Sequence, residues 1–152
     1  MELSPLLRGE RLVRTYGGRT VVDSVNVTLA CGEVLAILGP NGAGKSTLFR
    51  LLALIERADS GRIVIDGSPV TTGETRAIRR LGTVFQRPYL FRGTVASNVS
   101  YPLRVRGTAR AERQQRTAEA LEWCGLEDAG RVDVGTLSGG EVQRVALARA
   151  LI

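Results

Sequence analysis

Lys45 is the single lysine among 21 basic residues; every other one is arginine. A position that keeps lysine against that background calls for a compact, mobile point charge rather than a planar fork, as among phosphates. Its neighbours agree. Gly39, Pro40, Asn41, Gly42, Ala43, Gly44, Lys45 and Ser46 fit the spacing G-x-x-x-x-G-K-[ST]. Glycines let the backbone curl so that successive N–H groups face inward, and a helix starting where the loop ends turns its positive end to the same point. Such a loop cradles a chain of phosphates. Lys45 would reach the β- and γ-phosphates, Ser46 would offer its hydroxyl to Mg²⁺, and Thr47 would stand beside the α-phosphate.

The chemistry requires a strand before the loop and a helix after it. Residues 32–38, GEVLAIL, form a short apolar run bounded by glycines, the pattern of a strand buried on both faces of a parallel sheet. After the loop, Leu48, Leu51, Leu52 and Ile55 recur at i, i+3, i+4 and i+7, which makes one helix face apolar. Upstream, Val- and Thr-rich runs flank a turn at Gly17–Arg19 and predict two antiparallel strands over residues 10–30. Residues 60–67 read as an edge strand closed by an Asp-Gly turn. Residues 81–86 read as another strand, stopped by Arg87-Pro88. From Thr94 to Cys124 the pattern is helical, with Gly125 as its C-terminal stop and Leu121 and Trp123 packed inward. A loop then leads into a last helix over residues 141–152.

The 152 residues suffice for one domain with a real core, and 43% hydrophobic with 24% charged residues is an ordinary globular composition. No apolar run approaches the roughly 20 residues that cross a bilayer. The first ten residues lack the pattern of a secretory signal. Cys31 and Cys124 show no paired spacing and read as free thiols of a cytosolic protein. The net charge of +6 invites a nucleic-acid reading, but the arginines are scattered and aromatics are only 5%, so nucleic acid is not an expected partner.

A second motif stands at Leu137, Ser138, Gly139, Gly140 and Glu141. Ser138 and Glu141 have the spacing of a capping box opening the last helix. Two glycines in a first turn cost about 1 kcal/mol each relative to alanine, which makes sense where a ligand such as a phosphate must approach bare N–H groups. Taken together, GPNGAGKST followed by LSGGEVQRVALARAL resembles the nucleotide-binding subunit of ABC transporters. The first stretch matches that family's Walker A and the second its signature sequence.

The resemblance implies an α/β P-loop NTPase of the ABC type, with an antiparallel N-terminal β subdomain, an incomplete parallel core sheet and a helical subdomain. It implies one ATPase domain over residues 1–152, C-terminally incomplete: a β and P-loop core over residues 1–93, a helical subdomain over residues 94–137 and the signature helix over residues 138–152. By place in the order, Gln86 corresponds to the glutamine that contacts Mg²⁺ and the attacking water, so Lys45 and Gln86 are the implied catalytic residues. Ser46 and Gln86 are the implied metal contacts. Tyr16 corresponds to the aromatic that stacks on adenine. In the family two such domains pair head to tail, so residues 137–141 would close over the partner's ATP. Residues 87–106 would face a membrane permease subunit, whose solute is moved inward; their wording is similar to importers of oxyanions such as phosphate and tungstate. ATP and Mg²⁺ are the implied cofactors, and the inner face of the cell membrane is the implied location.

The chain departs from the family pattern in having no histidine and no apolar run ending in the Walker B carboxylates. The expectation is therefore an N-terminal portion of an ATPase that does not hydrolyse ATP alone, with an apolar sheet edge left open. Two other classes compete: a soluble ABC-type ATPase of translation or DNA repair, and a non-catalytic truncated remnant. The stretch from Ser46 to Leu137 carries no sustained heptads, which argues against the chromosome-maintenance branch.

Overall fold

The computed structural model describes residues 5–152; the first four residues of the stretch scanned for a signal lie outside it. The chain divides into two compact units, residues 1–81 and 82–152.

The first unit is built on a sheet of order β2-β1-β3-β4, antiparallel throughout, with β1 Pro5–Tyr16, β2 Arg19–Ala30, β3 Ser60–Ile65 and β4 Ser68–Val70. Gly17 and Gly18 join β1 to β2 at φ 52 and 80. Both central residues of this turn need φ above zero to match the twist of the strands, and glycine adopts that without strain. Along β1 the buried positions run 7 and 9, then shift phase to 12. The register irregularity between Gly9 and Leu12, where Arg11 has φ 48, makes that shift and returns an apolar side chain to the core face. Asp66-Gly67 forms the expected turn, but β3 lies inside the sheet and β4 is its edge.

Helix α1, Lys45–Leu52, follows the glycine loop. Leu51 is buried and Leu48 and Leu52 are half-buried, as the periodicity predicts. Ile55 instead is 46% exposed. The helix stops at Leu52, and Leu54 at φ 57 turns its side chain into the core in place of Ile55. Leu7, Leu12, Val22, Ile63 and Ile65 of the sheet pack with Leu51, Leu54 and Ala77; Ala77 belongs to the short helix α2, Thr75–Ile78.

The two segments expected to be core strands are not strands. Residues 32–38 and 81–86 have no ladder partner among the described residues, and Val34 and Leu38 are 95% and 89% exposed. An apolar run becomes a strand only when a neighbour takes its N–H and C=O groups. The described sheet is accordingly antiparallel only.

The second unit is helical. The pattern over residues 94–124 resolves into α3 Val95–Val99, α4 Tyr101–Val105 and α5 Arg110–Trp123 rather than one helix. Ser100 ends α3 and opens α4, Pro102 removes a donor in α4's first turn, and Gly107 at φ 75 separates α4 from α5. At the end of α5 the Gly125 N–H donates to Glu122 and the Leu126 N–H to Leu121. This paired closure brings Leu121 and Leu126 into the core together. Trp123 is 73% exposed, contrary to expectation, because it falls on the opposite side of α5 from buried Thr117 and Leu121. Helix α6, Gly139–Leu151, contributes Val145 and Ala148 to a core shared with Val95, Val99, Leu103 and Leu121. Cys31 is exposed and Cys124 buried, both as free thiols.

Candidate functional site

The loop from Gly39 to Lys45 is shaped by its glycines and by the side chain of Lys45. Gly44 caps α1 from the left-handed region at φ 85, and a Cβ there would lie 2.4 Å from the carbonyl oxygen of Val21 on β2. Only glycine meets both demands. Gly42 also has φ 82. The Lys45 Nζ folds back over the loop and donates to the carbonyls of Gly39 and Pro40, 2.7 Å each. Its ammonium thus stands inside the curve of the loop.

Helix α1 opens with no side-chain cap and no acidic residue in its first turn. Its first-turn N–H groups and the positive end of its dipole are therefore offered to an anion from outside the helix. Ser46 is exposed in that first turn, while Thr47 is exposed to only 9%. The arrangement suits a polyphosphate. For Mg²⁺ the residues fit in a limited way. Among the described residues no group of three or more acidic, histidine or cysteine side chains gathers. The chain's contribution would be neutral oxygens such as the Ser46 hydroxyl, with phosphate oxygens and water completing the shell, which is how Mg²⁺ is commonly bound.

Tyr16 ends β1, 40% exposed. Its hydroxyl donates to Glu56, and the Arg14 guanidinium lies 4.7 Å from its ring centroid. Arg14 in turn grips Glu56 through Nε at 3.0 Å and Nη2 at 2.9 Å, and Asp59 through Nη1 at 2.7 Å. The other Asp59 oxygen accepts the Thr15 backbone N–H at 2.7 Å. That N–H, followed by Arg14, holds the Asp59 carboxyl below its usual range; Tyr16, then Asp59 and Glu56, hold Arg14 the more firmly protonated. Arg14, Glu56 and Asp59 were not singled out by sequence pattern. The two carboxylates lie 42 and 45 residues from Arg14, a separation across which one sequence offers no pairing signal.

Gln86, Leu137, Ser138, Gly139, Gly140 and Glu141 belong to the second unit. Gln86 is exposed. Ser138 is the N-cap of α6, and the capping box is complete: the Glu141 N–H donates to Ser138 Oγ at 3.4 Å, and the Ser138 N–H donates to Glu141 Oε2 at 2.8 Å. The Ser138 hydroxyl donates to the same Oε2 at 2.6 Å. These bonds from Ser138 hold the Glu141 carboxyl below its ordinary value. Gly139 and Gly140 have open space where a Cβ would stand. Their surface is bare.

The sequence profile of the ABC transporter family matches residues 22–152. The chain is 44% identical to the methionine import ATP-binding protein MetN 2 of Rhodococcus jostii, over 98% of this chain and 46% of that one. It is 46% identical to the Fe(3+) ions import ATP-binding protein FbpC of Streptomyces coelicolor, over 96% of this chain and 42% of that one. It thus spans about half the length of the curated relatives it matches. Among solved structures it superposes with TM-score 0.87 and 34% identity on cbiO1 from Clostridium perfringens, described as part of the ABC transporter complex cbiONQ, covering 97% of this chain and 61% of that one. With TM-score 0.83 and 30% identity it matches the dimeric ATP-binding cassette MJ0796 bound to ADP and Pi, covering 95% of this chain and 68% of that one. The glycine loop, the capped glycine-rich α6 and this likeness along almost the whole chain lead to one conclusion: the chain belongs to the ABC transporter family.

Proposed function

We propose that this chain supplies the nucleotide-binding portion of an ATP-driven membrane importer. The observation that carries the reading is the loop itself: Lys45 held inside the curve of residues 39–44, at the uncapped start of α1. ATP is the ligand, with Gly39, Pro40, Asn41, Gly42, Ala43 and Gly44 wrapping its phosphates, Lys45 neutralising the β and γ groups, and Thr47 beside the α group. Tyr16 stacks on adenine. Ser46 and Gln86 would hold Mg²⁺, which when bound would screen the phosphate charge.

The partners are a second ATPase domain and a membrane permease. A dimeric relative bound to ADP and Pi supports the first, and relatives named for import support the second. In the head-to-tail pair, Leu137, Ser138, Gly139, Gly140 and Glu141 meet the partner's ATP, and hydrolysis there drives transport at the inner face of the membrane. No described helix is long and apolar enough to cross a membrane, and in this reading the chain reaches the membrane through that permease. The named relatives serve methionine and ferric iron; an oxyanion stays the reading of residues 87–106.

Affinity purification of the tagged native protein from its own membranes tests the assignment. The expected result is co-purification of a polytopic membrane protein and of a second ATPase domain. Recovery with ribosomes or DNA, and no membrane partner, would overturn it in favour of a soluble ABC-type ATPase.

A further inference from the structure

Nothing in the phosphate loop explains why Tyr16 should be so firmly held. An exposed tyrosine at a strand end ordinarily keeps its side-chain freedom. Here the hydroxyl is tied to Glu56 and a guanidinium lies against the ring. The guanidinium is itself fixed by two carboxylates. Those carboxylates come from the segment between α1 and β3, directly after the helix that opens at the phosphate loop. Its backbone is pinned at both ends: the Asp59 N–H donates to Val13, and Thr72 Oγ1 donates to the Glu56 carbonyl at 3.2 Å.

We propose that Arg14, Glu56 and Asp59 are positioning residues that lock the Tyr16 ring as a platform for the nucleotide base and tie it to the helix carrying the phosphate loop. The inference rests on the reading of Tyr16 as the base platform given above. The clamp occupies the hydroxyl and one side of the ring, so the exposed remainder is what a base can cover. Because the ring is ordered beforehand, a base stacking on it loses less freedom on binding. Stacking is tolerant of base identity, since every base has a π-face. The clamp therefore raises affinity for nucleotides generally and does nothing for phosphates without a base.

The test compares ATP, GTP and inorganic triphosphate, each with Mg²⁺, on the whole chain by calorimetry. The variants are Glu56→Met, Arg14→Lys, Tyr16→Phe and Tyr16→Ala. Arg14→Lys keeps the charge but cannot reach two carboxylates while lying on the ring. Tyr16→Phe keeps the ring and cuts its tether. Circular dichroism and thermal unfolding identify the variants that fold, and the milder Tyr16→Phe and Arg14→Lys decide the matter if Glu56→Met does not.

The expected result is that all four weaken ATP and GTP by about fivefold or more while triphosphate affinity stays within about twofold. The Tyr16 ring resonances in a labelled sample should also shift upfield with ATP, not with triphosphate, and less so in the clamp variants. If Tyr16→Ala lowers ATP selectively but the other three bind as the unaltered chain does, the clamp is overturned and the platform stands. If Tyr16→Ala leaves the ratio of ATP to triphosphate unchanged, the platform itself is wrong and the clamp falls with it.

Discussion

Two helices of this chain begin among glycines, and they satisfy their first turns in opposite ways. At α6 the helix brings its own anion: Ser138 accepts from the first turn and Glu141 closes the box from the other side. At α1 there is no side-chain cap and no carboxylate, and the neighbouring charge is the positive one of Lys45. A helix start of the first kind is complete within the chain. One of the second kind leaves its first N–H groups to water or to an anion from outside. On the proposed reading, a phosphate would meet bare N–H groups at α1, whereas at α6 it would displace an internal bond. For the Ser138 hydroxyl to turn to a partner's phosphate, it must leave Glu141 Oε2.

The largest effect that would break this contrast belongs to Lys45. Lys45→Ala removes a charge-assisted bond, worth about 1.5–3 kcal/mol, so Mg·ATP affinity should fall roughly ten- to a hundredfold with the melting temperature little changed. Next comes Gly44→Ala, which places a Cβ 2.4 Å from the Val21 carbonyl oxygen at φ 85. It should destabilise the first unit by about 1–3 kcal/mol in urea unfolding and weaken ATP as well. At the other helix, Ser138→Ala should cost about 1 kcal/mol of stability through loss of the cap, read as lower resistance to urea.

The smallest effect is one of pH. Glu141 has a folded-state pKa below its ordinary 4.5. Its contribution to the cap is therefore fully present above about pH 4.5 and is lost as pH falls through that lower value. Helicity followed by circular dichroism in acid should show a loss that Glu141→Gln abolishes. An identical acid profile for Glu141→Gln would mean that the carboxylate does not hold α6.

How much of this was legible beforehand follows the range of each interaction. The two glycines at the β1–β2 turn, the Asp-Gly turn after β3, the helix after the glycine loop and the capping box are all written within a few neighbouring residues, and all are readable. The apolar runs 32–38 and 81–86 read as strands in sequence but are not, because a run reports what could be buried, whereas a strand needs a ladder partner from elsewhere. Ile55 was misplaced by one residue: no propensity rule foretells that Leu54 takes φ 57 and enters the core instead. Trp123 is expected inward beside Leu121, but at two residues' distance α5 turns it to the other side. The clamp on Tyr16 was invisible for the same physical reason as the missing ladder partners, since Arg14 meets its carboxylates only when β1 and the segment after α1 are brought together.

On the proposed reading, α1 takes a polyphosphate at its uncapped start and Lys45 receives it. Titration of Mg·ATP into the chain by calorimetry, beside Lys45→Ala of equal secondary structure, tests it most directly. The unaltered chain should show saturable one-site binding, and the variant a loss of at least about tenfold. Equal affinity in the two proteins, or no binding by a folded unaltered chain, would contradict it.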